Sequence, residues 1–203
     1  MRTTPTKKQI QAQKTKKQLY ENAIKLFAER GYSAVTIEEI CAQSNLTKGT
    51  FYVHFNSKHD IVIEQSKNTD KAQADYYEAM DKTRPYAEQL YDYLTFICDN
   101  IQTDKGIDTE RAIYAAELNK DNAPGYIINE SRPIYSIMRK IITQGKESGE
   151  FKKDVDTDKA VNMCICVIRG VLFEWMITYN TKRADAKEMC SSLAKAVADS
   201  FKN

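Results

Sequence analysis

Apolar positions recur at helical spacing from residue 19 onward. Leu19, Ala23, Leu26 and Phe27 follow i, i+4, i+7 and i+8, the stripe of an amphipathic helix. Gly31 closes that stripe, in the position that favours a left-handed C-terminal cap. In the next stretch Thr36 and Glu39 form a capping box, and Val35 with Ile40 forms a hydrophobic staple. A helix is therefore predicted from about Thr36 to about Ser44. Ser44-Asn45-Leu46 is a three-residue break, and Asn tolerates the left-handed backbone of a tight interhelical turn. Thr47 caps a short helix ending near Phe55, with Leu46 and Phe51 as its staple. Ser57 with Asp60 starts a fourth helix, running through Ile61 to about Met80. Helix, three-residue turn and helix, with supporting helices on both sides, is the spacing of a helix-turn-helix unit.

Further helices are predicted over about 85–103, 109–120, 124–148, 157–180 and 184–201. No β alternation of useful length appears, and 7 Gly and 4 Pro are too few for a turn-rich β architecture. The expected fold is all-α: a helix-turn-helix domain over 1–60 and a larger helical domain over 61–203, joined within the fourth helix. The most apolar stretch, Ala160 to Tyr179, is interrupted by Asn162, Arg169 and Glu174, so no membrane span is predicted.

Charge adds an asymmetry. Residues 1–60 carry ten Lys or Arg and five acids, so that segment is +5, while the remainder is −3. Six basic residues precede the first acid, Glu21. A basic end on a mildly acidic body fits a nucleic-acid contact there. The Lys-rich stretch from Lys7 to Lys17 is expected to lack structure away from DNA and to grip phosphates or a minor groove when bound. No apolar leader follows the first residues, which points to the cytoplasm.

The five cysteines, Cys41, Cys98, Cys164, Cys166 and Cys190, are odd in number and scattered, so they are expected to be reduced core residues. No C-x2-C pair starts a zinc site, and both histidines, His54 and His59, fall near the helix-turn-helix. A glycine-rich phosphate loop and a G-x-S-x-G elbow are also missing from the sequence. The expectation is a non-enzyme with neither metal nor cofactor.

Residues Thr36 to Lys58 read TIEEICAQSNLTKGTFYVHFNSK. With Leu26-Phe27 and Gly31-Tyr32 upstream, this run closely resembles the DNA-binding signature of the tetracycline-repressor (TetR) family, over about residues 18–62. The departures are Cys41 and Ser44 for the usual Ala, Asn45 for the turn Gly, Leu46 for Val and Ile61 for Leu. Each substitute is small, tolerant of left-handed backbone, or apolar as its position demands. A recognition helix places its first residues against base edges. Thr47, Lys48, Gly49 and Thr50 form that turn: Lys48 suits guanine, the threonines an edge or a thymine methyl, and Gly49 close backbone approach. The resemblance adds phosphate contacts from Tyr52, His54, Lys58 and the Thr36 helix start, the last consistent with anion binding at helix N-termini.

The remaining chain carries no motif. The 157–180 helix is apolar on nearly all sides and must be covered on all of them. The resemblance implies a homodimer whose last two helices pair with their twofold mates, placing Val171, Trp175, Met189, Leu193 and Val197 at the interface. It also implies a small-molecule effector, apolar or aromatic, held by the C-terminal helices; Tyr91, Tyr114, Met138, Met163 and Phe173 are the candidate lining. The expected function is a repressor released from a palindromic operator, double-stranded DNA, by that ligand. Two alternatives stay open: a thiol-based redox regulator using Cys164 or Cys166, and a structural DNA-binding protein without an effector.

Overall fold

The computed structural model describes residues 6–101, 125–179 and 186–203, with Ile107, Glu110, Arg111, Ile113, Tyr114, Glu117 and Leu118 between them. Among these residues every extended element is a helix: α1 (Lys7–Arg30), α2 (Ile37–Ser44), α3 (Lys48–His54), α4 (Lys58–Ala79), α5 (Tyr86–Ile101), α6 (Pro133–Glu147), α7 (Thr157–Thr178) and α8 (Ala186–Ser200). They form two compact units, divided within α4 after Ser66.

The first unit runs to Ser66 and includes the described residues between 108 and 123. Its core is Leu19, Ala23 and Phe27 of α1, Val35, Ile40 of α2, Phe51 and Phe55 at α3, and Ile61 and Val62 of α4. The Lys-rich stretch is not structureless. A capping box starts α1: the Gln9 N–H donates to the Thr6 hydroxyl at 3.3 Å, and the Thr6 N–H to the Gln9 side chain at 2.7 Å. Two satisfied donors and a run composed mostly of good helix formers (Lys, Gln and Ala) carry α1 back to Lys7, where the apolar stripe has already ended.

The second unit comprises residues 67–107 and 124–203. Helices α5 to α8 pack on one another, with Leu90, Tyr93, Leu94, Ile97, Met138, Ile141, Cys164 and Ile168 buried among them. Two devices close its ends. Glu150 accepts from the Tyr86 and Ala87 N–H groups at 2.7 and 2.8 Å, capping α5 from 63 and 64 residues away. Phe151 is buried against Phe201 and bridges to Lys202. The helix expected from 124 begins only at Pro133. Proline fits the first helical turn, where no N–H is needed, and it forces Arg132 into extended backbone (φ −65°, ψ 143°).

Helix α7 has the length and hydropathy to cross a bilayer, with half of its most apolar window buried inside the unit. Its phase decides which side is core. Val161, Cys164, Ile168, Val171, Leu172 and Trp175 face inward. Met163, Phe173 and Ile177 stay 47%, 52% and 58% exposed, with Cys166 and Gly170 on the same stripe. Beside it, α8 presents Leu193, 40% exposed, and the half-buried Met189.

Several expectations change here. Val171, Trp175 and Val197 are 1%, 8% and 8% exposed, so they belong to the protomer's own core rather than to its surface. Met163 and Phe173 were expected inside a pocket and instead stand outside. For Val171, Trp175, Met163 and Phe173 the reversal is one rotation of α7, because a helix apolar all round carries no signal of its phase; Val197 turns inward on α8. Tyr91 is half-buried, its hydroxyl 2.8 Å from that of Ser191, in a groove lined by Arg84, Glu88, Asp92 and Lys195. Tyr114 falls in the first unit. Of the four lining candidates in the second unit, only Met138 is wholly buried in its core. Cys98 and Cys190 are joined by a disulfide, which corrects the expectation of five thiols; Cys41, Cys164 and Cys166 are free.

Candidate DNA-binding surface

The turn between α2 and α3 is built as its residues require. Thr36 caps α2, with the Glu39 N–H donating to its hydroxyl at 3.3 Å and its own N–H donating to the Glu39 carboxylate at 2.8 Å. That N–H, with the Arg30 guanidinium and the Thr36 hydroxyl, holds the Glu39 carboxyl at about 2. Asn45 closes α2 at φ 53° and ψ 41°, the one non-glycine positive φ among the described residues. Helix α1 secures the end of α2: Gln18 donates to the Ser44 carbonyl at 2.9 Å and Asn22 to the Ser44 hydroxyl at 3.0 Å. Ser44, where alanine is usual in the resembling pattern, is thus buried with a partner for its hydroxyl.

Thr47 then caps α3, accepting the Thr50 N–H at 3.1 Å, with the two hydroxyls 3.0 Å apart. Phe51 and Phe55 point inward at 0% and 3% exposure. That phase turns Thr47, Lys48, Gly49, Tyr52 and Val53 outward, and leaves Thr50 and His54 half-buried. Thr36 is also exposed. Seven of the eight predicted contact residues therefore lie at the surface of one small unit, along α3 and at the start of α2.

Lys58 is the exception. Its ammonium donates to the Tyr32 and Val35 carbonyls at 2.8 and 2.9 Å and sits 4.3 Å from the Tyr32 ring centroid. Burial lowers its pKa. The expected phosphate ligand is spent as a latch between the α1–α2 connection and the start of α4.

Two surface residues escaped sequence reading. Glu38 forms an ion pair with Lys48, and their hydrogen bond lowers the Glu38 pKa and raises that of Lys48. Nothing local signals a pairing across ten positions and a turn. Val53, 77% exposed, is the more legible omission: with Phe51 and Phe55 inward, helical phase sends 52 and 53 outward. An exposed valine on such a helix suits a thymine methyl.

Gly49 is informative by what it does not touch. A Cβ there would meet only the Thr47 hydroxyl, at 3.7 Å, an ordinary contact. Glycine costs about 0.5–1 kcal/mol relative to alanine in a helix interior, and less in the first turn, where Gly49 is the second residue of α3. The free fold therefore bears a cost for a missing side chain that it does not need.

The helix-turn-helix geometry agrees with the family comparison. Residues 19–64 match the profile described as bacterial regulatory proteins, tetR family, and residues 122–198 match that of the YsiA-like protein C-terminal region. The chain belongs to the TetR family. It is a helix-turn-helix transcriptional regulator, and the TetR-family relatives it matches are DNA-binding regulators rather than enzymes. Among them, the fatty acid metabolism regulator protein of Bacillus subtilis is 25% identical over 189 residues, 92% of this chain and 95% of the relative. The repressor KstR2 of Mycobacterium tuberculosis is 28% identical over 142 residues, 70% and 71% of the two chains. The TetR fold also recurs in the solved fatty acid degradation regulator FadR of Bacillus halodurans, at 21% identity and a TM-score of 0.71, covering 91% of this chain and 94% of that one.

Proposed function

We propose that this TetR-family chain is a homodimeric repressor that binds a palindromic operator through α3 and is released by a small apolar or aromatic molecule held in the second unit. Gly49 carries the DNA part of the reading. A helical glycine with open space above it serves a partner that approaches the backbone closely, and the floor of a major groove is such a partner. Lys48 and Val53 flank that approach, with Lys48 reaching a guanine edge once it leaves Glu38. Tyr52, His54 and the α2 start are assigned to phosphates, which set register rather than sequence.

Dimerisation is supported by the exposed apolar stripe of α7 and by Leu193 beside it. Pairing the stripe with its twofold mate covers it, and a C2 dimer matches two half-sites about one helical turn apart. A small-molecule effector is supported by a structure of the same fold titled as a complex with choline, and its apolar character by a relative named for fatty acid metabolism. Ligand shifts the dimer between conformers only by its differential affinity for them.

The test is Gly49→Ala on a duplex that the protein itself selects from random sequence. The variant should melt no lower than wild type, gaining less than the about 0.5–1 kcal/mol of a helix-interior replacement, while losing operator affinity about tenfold or more. Unchanged affinity would remove Gly49 from the interface. Lys48→Ala should weaken operator binding by about 1–3 kcal/mol and random-DNA binding much less. Equal loss on both DNAs would assign Lys48 to phosphate alone.

A further inference from the structure

The disulfide between Cys98 of α5 and Cys190 of α8 links positions 92 residues apart, with Cα atoms at 6.6 Å. It lies beneath the apolar face. Both cysteines pack on Val171, with the partly buried Val167 and Met189 over them. Val167, Val171 and Met189 also line the open groove that runs between α7 and α8 past Cys166 and Leu193. Helices α5 and α8 are also strapped near the bond, by Tyr91 with Ser191 at 2.8 Å and by Lys187 with Asp99 at 3.7 Å. The bond therefore sits where α8, one half of the proposed dimer face, is held onto the body of its own protomer.

A regulator that works on DNA works where thiols are kept reduced, and a disulfide in that setting is a redox-sensing element more often than a permanent staple. We propose that Cys98 and Cys190 are a reversible dithiol–disulfide pair that sets how firmly the dimer face is held, and through it operator affinity. This proposal rests on the dimeric regulatory reading above. On oxidation the two thiols lose two protons and two electrons as the S–S bond forms. Hydrogen peroxide taking them up gives two waters, and oxidised glutathione gives two glutathiones. Reduction by a thiol reverses the step. The bonded form pins α8 to α5, so less ordering remains to be done when two subunits meet, and the oxidised dimer is the tighter one. The thiols suggested by sequence fit the role less well. Cys164 and Cys166 are both free thiols, whereas Cys98 and Cys190 already stand at bonding distance from each other.

The full chain is equilibrated in glutathione buffers of graded ratio, acid-quenched, unfolded, alkylated and weighed. Three adducts are expected under oxidising ratios, from Cys41, Cys164 and Cys166, and five under reducing ones. Dimer dissociation by ultracentrifugation and binding to the self-selected duplex are read on the same samples. Both should be about tenfold tighter in the oxidised form, and the difference should vanish in Cys98→Ser and Cys190→Ser and survive in Cys166→Ser. Five adducts at every ratio, or three at every ratio, would overturn the proposal. So would a bond that titrates while dimer dissociation stays unchanged, or a response that survives Cys98→Ser and disappears with Cys166→Ser. If no duplex is selected, the regulatory reading fails, and the adduct count with the dimer measurement still decides the redox pair.

Discussion

Arg132→Leu should destabilise the second unit by about 3–5 kcal/mol, the usual cost of removing one partner from a buried ion pair. Arg132 and Asp70 have side chains only 16% and 9% exposed. The guanidinium holds the Asp70 carboxylate through Nη2 at 2.8 Å and through Nε at 3.2 Å to both oxygens. Its face lies 4.5 Å from the Tyr126 ring centroid, and the Tyr126 hydroxyl donates to Asp70 as well. Removing the guanidinium leaves a carboxylate in a dry site with a single donor. Asp70→Leu alone strands the arginine instead, and the Asp70→Leu/Arg132→Leu double variant strands nothing. The double variant should therefore lose much less than the two single variants together, and it should approach wild type if the new side chains pack. Urea midpoints of the four proteins measure this. Additive losses would show that the pair contributes no coupling and that the single-variant cost is lost packing.

That cluster also marks where sequence reading runs out. In the sequence Asp70 is one acid among several on a predicted helix, and Arg132 falls inside another helix, predicted from about 124. Their meeting depends on Pro133 delaying α6, which leaves Arg132 extended and free to reach α4. Local chemistry was legible because it closes within a few residues: the Thr36–Glu39 box, the Thr47 cap and the left-handed Asn45 all stand where their residue types place them. The Thr6–Gln9 box is equally local, and it went unread because no apolar stripe follows it. Contacts made across the fold left no trace. Lys58 reaches carbonyls 23 and 26 residues upstream, and the cysteine pair spans 92. For α7 the residue types were legible and the phase was not, since Phe173 and Trp175 are both apolar and only tertiary packing shows which one is inside.

Phe51→Ala connects the legible core to the proposed function. Phe51 is 0% exposed on α3, edge-on to Tyr52 at 5.5 Å between ring centroids and tilted against Phe55 at 5.8 Å. Truncating a buried phenylalanine costs about 3–5 kcal/mol, the lost transfer free energy plus the cavity left behind. The helix it anchors has seven residues, too short to persist without packing. The variant should therefore lose α3 before the remaining helices melt. Hydrogen exchange should show early loss of protection at the Phe51 and Phe55 amides, which are bonded to the Thr47 and Phe51 carbonyls at 3.1 and 2.9 Å. Affinity for the selected duplex should fall at least tenfold, because the order of α3 must be restored at the expense of binding. Phe51→Leu keeps most of the volume and should recover most of both quantities. Protection lost with affinity retained would separate operator binding from α3 and overturn its assignment as the recognition helix.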